Sequence, residues 1–174
     1  KFDTVGGSAV VVCDLCASWQ QLFPTTFRIK LREDVRWQNL PPLNGRKLTA
    51  QDVVFSLKRQ ATPGFPNAVI LSNITEFTAV SESEIIIRLA APDSETLEKL
   101  ADSHSRIVAP EVVLANGDLR RGPTVGTGPW ITSEAQSDRT SLLVNPDYFD
   151  DDLPYLDALE IQVVPSESTR VAGM

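Results

Sequence analysis

The sequence is poor in the residues on which most catalytic and metal sites depend. Its 174 residues include two cysteines, one methionine and one histidine, His104. His104 lies between Ser103 and Ser105, with Asp102 beside them, but adjacency in sequence does not make a catalytic triad, which is an arrangement in space. The acidic run "DYFDDDLP" is typical of a solvated loop, with weak calcium binding as a lesser alternative. We therefore expect no catalytic residue, no metal site and no cofactor, and predict that the protein is not an enzyme.

Positive charge is also scarce. Lysine and arginine together number 16 against 23 acidic residues, which gives a net charge of −7. The basic residues are scattered, and Arg28, Lys30 and Arg32 alternate as they would along one solvated face of a strand. Phosphate backbones are bound by clustered lysine and arginine, so this composition predicts no nucleic-acid partner.

Long apolar runs are missing as well. No segment approaches the length of a membrane span, and no signal peptide is recognisable. The chain starts at Lys1 instead of an initiator methionine and ends in "TRVAGM", so we expect a piece of a longer protein. At 42% hydrophobic residues, the composition still allows a buried core of useful size.

The two cysteines, Cys13 and Cys16, have the C-x-x-C spacing of a redox pair or of half a zinc site. A redox pair of the thioredoxin type begins a helix, and no long helical pattern follows here. Zinc needs four ligands, and His104 is the only other soft candidate. We interpret the cysteines as two small, partly buried side chains; a disulfide between them would close only a short loop.

Periodicity predicts interspersed helices and strands. The clearest helix follows Thr49, an N-cap residue with Asp52 three positions on, and carries the apolar stripe Ala50, Val53, Val54, Leu57 and Ala61 before Pro63-Gly64 ends it. A second helix is predicted after Pro92, capped by Asp93 or Ser94, and a short third one ends at Asn116-Gly117 after a strand-like stretch. Another helix would begin at Ser166.

Strands are indicated by alternation and bounded by turn residues. They cover the stretches 25–31, 77–80, 85–89, 140–144 and 155–165, and the second and third form a hairpin around "SESE". Asn44-Gly45 predicts a tight turn, because both residues tolerate positive φ. The predicted fold class is α+β, with a mainly antiparallel sheet and flanking helices.

The stretch "PTVGTGPWIT" is the strongest candidate for a functional loop. It lacks the lysine of a phosphate-binding P-loop, and it leads into a strand where a dinucleotide fingerprint would open a helix. From the residues alone it is a turn whose glycines allow unusual backbone angles or the close approach of another segment.

Four blocks of this chain resemble the family 5 extracellular solute-binding proteins, the peptide- and nickel-binding components of ABC importers. The blocks are "LCASW" leading to "FRIKLREDVRW", "NGRKLTAQDVVFSLKR", "VGTGPW", and "LLVNPDYF" with "YLDALEIQVVP" after it. In the first two blocks the matching positions are Trp19, Phe27, Leu31, Arg32, Val35, Trp37, Gly45, Leu48, Thr49, Ala50, Asp52, Val53, Ser56, Leu57 and Arg59. The order and spacing agree over nearly the whole chain from Trp19 onward. The chain departs from the family where "LCASW" replaces "LAESW", in a longer "WQNLPPLNG" segment, and in "EAQSDRT", which lacks a glycine-rich hairpin turn.

The resemblance implies a two-lobed, type II-like periplasmic-binding-protein fold of which residues 1–174 are one lobe fragment. Residues 19–150 would be an accessory subdomain of the N-terminal lobe, and residues 151–174 a strand and helix start returning to the main lobe. The implied function is capture of an extracytoplasmic solute, a di- or oligopeptide above all, and its delivery to the transmembrane subunits of an ABC permease by a monomer that is periplasmic or lipid-anchored at the outer face of the membrane.

The same resemblance makes "VGTGPW" a turn beside the ligand cleft. Its expected ligand contacts are the backbone groups of Gly126 and Gly128, the Thr127 hydroxyl and the Trp130 ring. Trp19, Trp37, Phe27 and Phe55 are expected in the core instead. Two alternative functions stay open: a thiol oxidoreductase acting through Cys13 and Cys16, and an adhesion or signalling module on the same fold.

Overall fold

All three sheets of the computed structural model are antiparallel. The structure describes residues 1–117, 119 and 124–165, and within them the strand orders are β1-β2, β3-β4-β6-β5 and β7-β8-β9. The strands are β1 (Phe2–Val5), β2 (Ser8–Val11), β3 (Cys16–Phe23), β4 (Thr26–Leu31), β5 (Ile74–Ala79), β6 (Glu84–Leu89), β7 (Trp130–Ala135), β8 (Arg139–Val144) and β9 (Ala158–Gln162). The helices are α1 (Ala50–Ala61), a 3-10 helix (Ala68–Leu71), α2 (Thr96–Ala101) and α3 (Pro110–Asn116). This arrangement confirms the predicted α+β class.

The chain divides into two compact units. The first consists of Lys1–Val35 and Lys47–Pro123, and the second of Arg36–Arg46 and Thr124–Met174. In the described part of both units, no helix is long and apolar enough to cross a membrane. The assignment of residues 19–150 and 151–174 to separate subdomains stays a prediction.

The core of the first unit lies on one face of the four-stranded sheet. Phe27 of β4 faces Ile87 of β6, which in turn faces Phe77 of β5, and all three are buried. Alternation along β4 puts Arg28 on the other face, where its Nε lies 3.0 Å from a carboxylate oxygen of Glu84. The prediction of an apolar face and a solvated face for this strand is confirmed.

Helix α1 covers the core as its sequence predicts. The backbone N–H of Thr49 donates to the Asp52 carboxylate over 2.9 Å, which is one of the two hydrogen bonds of a capping box. Ala50, Val53, Val54 and Leu57 are buried. Ala61, the last residue of the predicted stripe, is only half-buried.

The predicted cap of α2 is wrong. The helix begins at Thr96 with Glu95 as its N-cap residue, so neither Asp93 nor Ser94 occupies that position. The Asp93 carboxylate instead accepts the Glu95 N–H over 2.9 Å and pairs with Lys99 Nζ at 2.8 Å. Asp93 therefore forms a turn ahead of the helix, because its short side chain bonds the backbone two residues on.

The strand-like stretch before α3 is not a strand, although the helix and its end at Gly117, with φ of 73°, are as predicted. Within the described part of the chain Val108 pairs with no strand, and the Ser56 side chain of α1 contacts its backbone instead. The Ser56 hydroxyl accepts the Val108 N–H over 2.9 Å and lies 2.9 Å from the Val108 carbonyl oxygen. The Ser56 hydroxyl thus satisfies the Val108 N–H, while its single hydrogen lies within reach of both the Val108 carbonyl and the Asp52 carbonyl, which is 2.8 Å away.

The second unit consists of the segment Arg36–Arg46 and the part of the chain that contains the β7-β8-β9 sheet. Asn44 and Gly45 have φ of 48° and 72°, which confirms the predicted tight turn. The last strand is confirmed over Ala158–Gln162, but its apolar alternation is not buried: Ile161 is 54% and Val163 58% exposed. The helix predicted from Ser166 lies outside the described residues.

Candidate functional site

The turn at residues 125–130 leads into β7 and is held by a buried glutamine. The side-chain amide of Gln38 donates to the carbonyl oxygens of Trp130 at 2.6 Å and of Gly128 at 3.3 Å, and its oxygen accepts the Gly126 N–H over 3.1 Å. The Gln38 backbone N–H donates to the Gly126 carbonyl over 2.9 Å. Gln38 is 3% exposed, so its amide is satisfied by the turn and by little else.

A second buried amide meets the same turn at the end of β8. Asn145 is 2% exposed, and its Nδ2 donates to the Gly128 carbonyl over 3.0 Å. Its backbone N–H donates to the Pro129 carbonyl over 2.8 Å, and its Oδ1 accepts the Asp147 N–H over 3.2 Å. The turn is therefore held by hydrogen bonds from two buried side-chain amides, those of Gln38 and Asn145.

The glycines of this turn are not explained by backbone strain. Neither Gly126 nor Gly128 has a positive φ. A Cβ on Gly128 would meet no heavy atom within 4 Å, and one on Gly126 would meet only the Gly128 nitrogen, at 3.8 Å. The expectation of unusual backbone angles or of a closely approaching segment is thus wrong for the described residues. Open space lies beside Gly128.

The four residues predicted to touch a ligand differ in how many of their polar groups already have a hydrogen-bond partner among the described residues. The N–H and carbonyl of Gly126 and the carbonyl of Gly128 already have partners inside the protein. Within the described part of the chain, the backbone and hydroxyl of Thr127 and the N–H of Gly128 have no hydrogen-bond partner. Trp130 is half-buried. Ligand contact by Gly126, Thr127, Gly128 and Trp130 stays a prediction, and Thr127 has the most groups to offer.

Sequence reasoning missed Gln38 and Asn145. Asn145 falls inside a resembling block, where it precedes Pro146, whereas Gln38 follows Trp37 in the "WQNLPPLNG" segment, where the chain departs from the family. Asn145 is predicted only as the end of a strand, and nothing in one sequence pairs residues 88 to 92 positions apart, as Gln38 and its partners are. An amide beside a buried tryptophan is nevertheless a signal, because buried amides need partners.

Cys13 and Cys16 are joined in a disulfide, a pairing that the sequence alone leaves open. Both are half-buried in the connection between β2 and β3. In the structure Leu15, inside the four-residue loop, accepts the Arg32 N–H over 3.0 Å. The disulfide therefore borders a backbone contact with the end of β4.

The surroundings of His104 are those of an exposed loop. His104 Nδ1 lies 2.7 Å from the Asp102 carboxylate, and the backbone N–H of His104, foremost, lowers the pKa of that carboxyl below 3.8. The neighbouring Ser105 hydroxyl donates to the Lys99 carbonyl over 2.8 Å and does not face the imidazole as a nucleophile would. Among the described residues, no three His, Cys, Asp or Glu side chains form a cluster suited to a metal ion.

A hollow of about 600 Å³ opens beside the edge strand β3. It is lined by Trp19, Gln21, Pro24, Phe27, Pro92, Asp93, Ser94 and Leu97. Trp37 and Phe27 belong to the core as predicted, but Trp19 is 47% exposed at the rim of this hollow, which corrects its assignment to the core. Phe55, also expected in the core, is half-buried.

The fold is that of type II-like periplasmic binding proteins. The structure of PBP/SBP MoaA from A. tumefacien R10, in complex with mannopinic acid, superposes with a TM-score of 0.83 at 26% identity over 93% of this chain and 33% of that one. The model for bacterial extracellular solute-binding proteins, family 5 Middle, matches residues 11–174. The chain therefore belongs to the family 5 bacterial extracellular solute-binding proteins.

Two curated relatives show the range of proteins that share this sequence pattern. Di/tripeptide-binding protein 2 of Pseudomonas aeruginosa (strain UCBPP-PA14) is 26% identical over 95% of this chain and 35% of its own length. The HTH-type transcriptional regulator SgrR of Pectobacterium atrosepticum is 29% identical over 88% of this chain and 26% of its own length. The chain thus spans between about a quarter and about a third of the length of these two relatives.

Proposed function

We propose that this chain is part of the substrate-binding component of an ABC importer, which captures an extracytoplasmic di- or oligopeptide and delivers it to the permease. The observation that carries the proposal is the match of residues 11–174 to the family 5 solute-binding proteins. The di/tripeptide-binding relative supports a peptide as the solute. Transport by such a protein needs a ligand that binds the closed arrangement better than the open one.

The Val125–Trp130 turn is the part of this chain that we assign to the ligand. Its backbone is fixed by Gln38 and Asn145, and Thr127 has peptide groups and a hydroxyl to offer. A peptide ligand is bound largely through main-chain hydrogen bonds, for which such groups are suited. The Trp130 ring would be an apolar wall of the same site.

The Cys13–Cys16 disulfide supports an extracytoplasmic location. Disulfides persist in the periplasm and at the cell surface, whereas the cytosol keeps most thiols reduced. We propose a monomer that is periplasmic or held at the outer face of the membrane, has the permease as its protein partner, and does no chemistry on its solute. Residues 19–150 are proposed as the accessory subdomain of the N-terminal lobe, and residues 151–174 as its return to the main lobe.

The first test is a thermal-shift screen of the natural full-length gene product against di- to oligopeptides, nickel chelates and opines. A ligand that binds only the folded protein raises the melting temperature by mass action. A shift with peptides is the expected result. Shifts with chelates or opines alone would replace the peptide by another solute, and no shift with any of them would contradict the importer proposal.

The assignment of the turn is tested by Gly128→Ala in the same protein. The structure predicts little loss of stability, within about 0.5 kcal/mol, because φ is not positive and no heavy atom lies within 4 Å of the new Cβ. The methyl group would occupy the space beside the turn and should weaken peptide binding about tenfold or more in titration calorimetry. Ser133→Ala, in β7 outside the turn, is the control; it leaves the glycines of the turn unchanged. Unchanged affinity in a folded Gly128→Ala protein would remove the turn from the ligand site.

The disulfide also keeps a second function open, a thiol oxidoreductase using Cys13 and Cys16. After mild reduction, the rate of reaction with a chromogenic disulfide across pH reports the pKa of each thiol. A strongly depressed thiol pKa would favour the oxidoreductase, because the thiolate is the nucleophile. Two ordinary, slowly reacting thiols would exclude it.

A signalling module is the third candidate, supported by the similarity to a transcriptional regulator. The discriminating measurement is uptake of labelled peptide by cells that lack the gene. Normal uptake together with peptide binding in vitro would favour signalling over transport.

A further inference from the structure

We infer that Gln38 and Asn145 are positioning residues for solute binding: together they form an amide clamp that sets which groups of the Val125–Trp130 turn a ligand can reach. The inference rests on the proposed function, because it concerns the same turn. Gln38 and Asn145 would not touch the solute, and yet they would determine how tightly the protein binds it.

The hydrogen bonds made at position 38 require a side-chain amide. Its nitrogen donates to two carbonyls, those of Gly128 and Trp130, while its oxygen accepts the Gly126 N–H. A neutral amide carries two donor hydrogens and an acceptor oxygen on one planar group, whereas an ionised carboxylate lacks the donor and an ammonium lacks the acceptor. The side chain is 3% exposed, so water does not replace a lost bond at low cost.

Asn145 bonds to one of the same carbonyl oxygens as Gln38. Its Nδ2 donates to the Gly128 carbonyl, which also accepts from Gln38. Its Oδ1 accepts the Asp147 N–H, and this bond fixes which end of the amide faces the turn. The two amides come from segments more than 100 residues apart and converge on one oxygen, whose position they determine.

The clamp divides the polar groups of the turn into those that already have a hydrogen-bond partner and those that a ligand can reach. The clamp and its backbone bonds use the carbonyls of Gly126, Gly128, Pro129 and Trp130 and the N–H of Gly126. Thr127 and the Gly128 N–H are left for a ligand among the described residues. Because the glycines are not held by strain, the amides are what preorganises this presentation, and preorganised groups bind without an ordering cost.

The experiment uses Gln38→Glu and Asn145→Asp in the natural full-length gene product, titrated with the peptide that gives the largest thermal shift. Each change keeps the shape and replaces the donor by an oxygen that repels the turn carbonyls. Gln60→Glu is the matched control, since Gln60 is a buried amide of α1 whose nitrogen bonds Ser105. All affinities are measured well below the melting temperature of the least stable variant and divided by that of the wild type at the same pH.

The expected result is a loss of affinity of about tenfold or more for both clamp variants at about pH 8, with Gln60→Glu within about twofold of the wild type. Burial raises the pKa of a carboxyl, and its protonated form again has a donor. The affinity of Gln38→Glu relative to the wild type should therefore recover as the pH falls toward about 5. Because a buried carboxyl also regains stability on protonation, the recovery supports the clamp only if Gln60→Glu shows no such change in affinity with pH.

Two failures are distinguishable. If the wild type binds no peptide, the proposed function fails, and this inference with it. If the wild type binds and both folded clamp variants bind equally well, the inference alone is overturned. Should neither variant fold, amide hydrogen exchange of the wild type decides: protection of the Gly126 N–H in the absence of peptide is expected, and exchange at the rate of an exposed amide would contradict the clamp.

Discussion

At the scale of single residues, side chains replace backbone partners at two places in this protein. The Ser56 hydroxyl accepts the Val108 N–H, and Gln38 satisfies three backbone groups around Gly128. Neither pairing is visible in one sequence, because a serine in a helix and a glutamine after a tryptophan have many uses. The local bond from the Thr49 N–H to Asp52 is predictable, because its partners are three residues apart.

Acid stability is a residue-scale consequence of the pair formed by Asp93 and Lys99. The hydrogen bond from Lys99, foremost, holds the pKa of Asp93 below 3.8. A carboxyl whose pKa is lowered on folding stabilises the protein above its unfolded pKa, and this contribution is lost as the pH falls through the folded value. Lys99→Met should therefore weaken the folded protein near neutral pH and make its stability fall less steeply below about pH 4.

The measurement is urea unfolding at a series of pH values. Lys30→Met, on the outer face of β4, removes the same charge and serves as the control. If both variants show the same dependence on pH, the attribution to Asp93 is wrong.

At the scale of elements, the spacing of apolar residues, every second residue in strands and every 3.6 residues in helices, predicts most of the observed strands and helices. Strands β4 and β6 and helix α1 are predictable because their apolar residues face one core. The failures lie at boundaries, where a local side-chain bond competes with the pattern: Asp93 forms a turn in place of a cap, and Val108 is extended without a sheet. Strand β9 keeps its alternation, yet its apolar face is not buried within this chain.

Strand β6 offers a sharp test of the two-faced sheet. Ile87 is 0% exposed between β4 and β5, whereas its neighbour Ile86 points to the other face and is half-buried. Ile87→Ala should lower the free energy of unfolding by about 3–4 kcal/mol, and Ile86→Ala by about 1 kcal/mol. Chemical denaturation of the two variants gives the comparison. Equal losses would mean that the strand is not two-faced.

At the scale of the whole molecule, the family is recognisable because its blocks recur in order along the chain, while the solute is not. The chain spans about a third of its relatives, so groups that would complete a ligand site need not lie within it. The Val125–Trp130 turn is predictable as a candidate from its sequence; the amides that hold it depend on tertiary structure.

The disulfide acts on the whole chain through the unfolded state. It closes a loop of four residues, Cys13 to Cys16, and the loop-entropy model gives a stabilisation of about 2 kcal/mol for so short a loop. Replacing both cysteines by serine should lower the free energy of unfolding by up to about that amount, as measured by urea unfolding. Reduced wild-type protein is the control and should match the double variant. A loss of more than about 4 kcal/mol would mean that the disulfide also supports native contacts.

The Asn44-Gly45 turn gives the protein a site of chemical ageing. The backbone nitrogen of a glycine after asparagine attacks the side-chain amide carbon, which releases ammonia and forms a succinimide. Water then opens the succinimide to aspartate or isoaspartate. Asn145 is spared this reaction because proline follows it and has no N–H. The Gly45 N–H points to the Gln38 carbonyl at 3.4 Å, so an isoaspartate at residue 44 would lengthen the backbone beside the glutamine that holds the turn. Peptide mapping of stored protein should find the new isomer at Asn44 and none at Asn145.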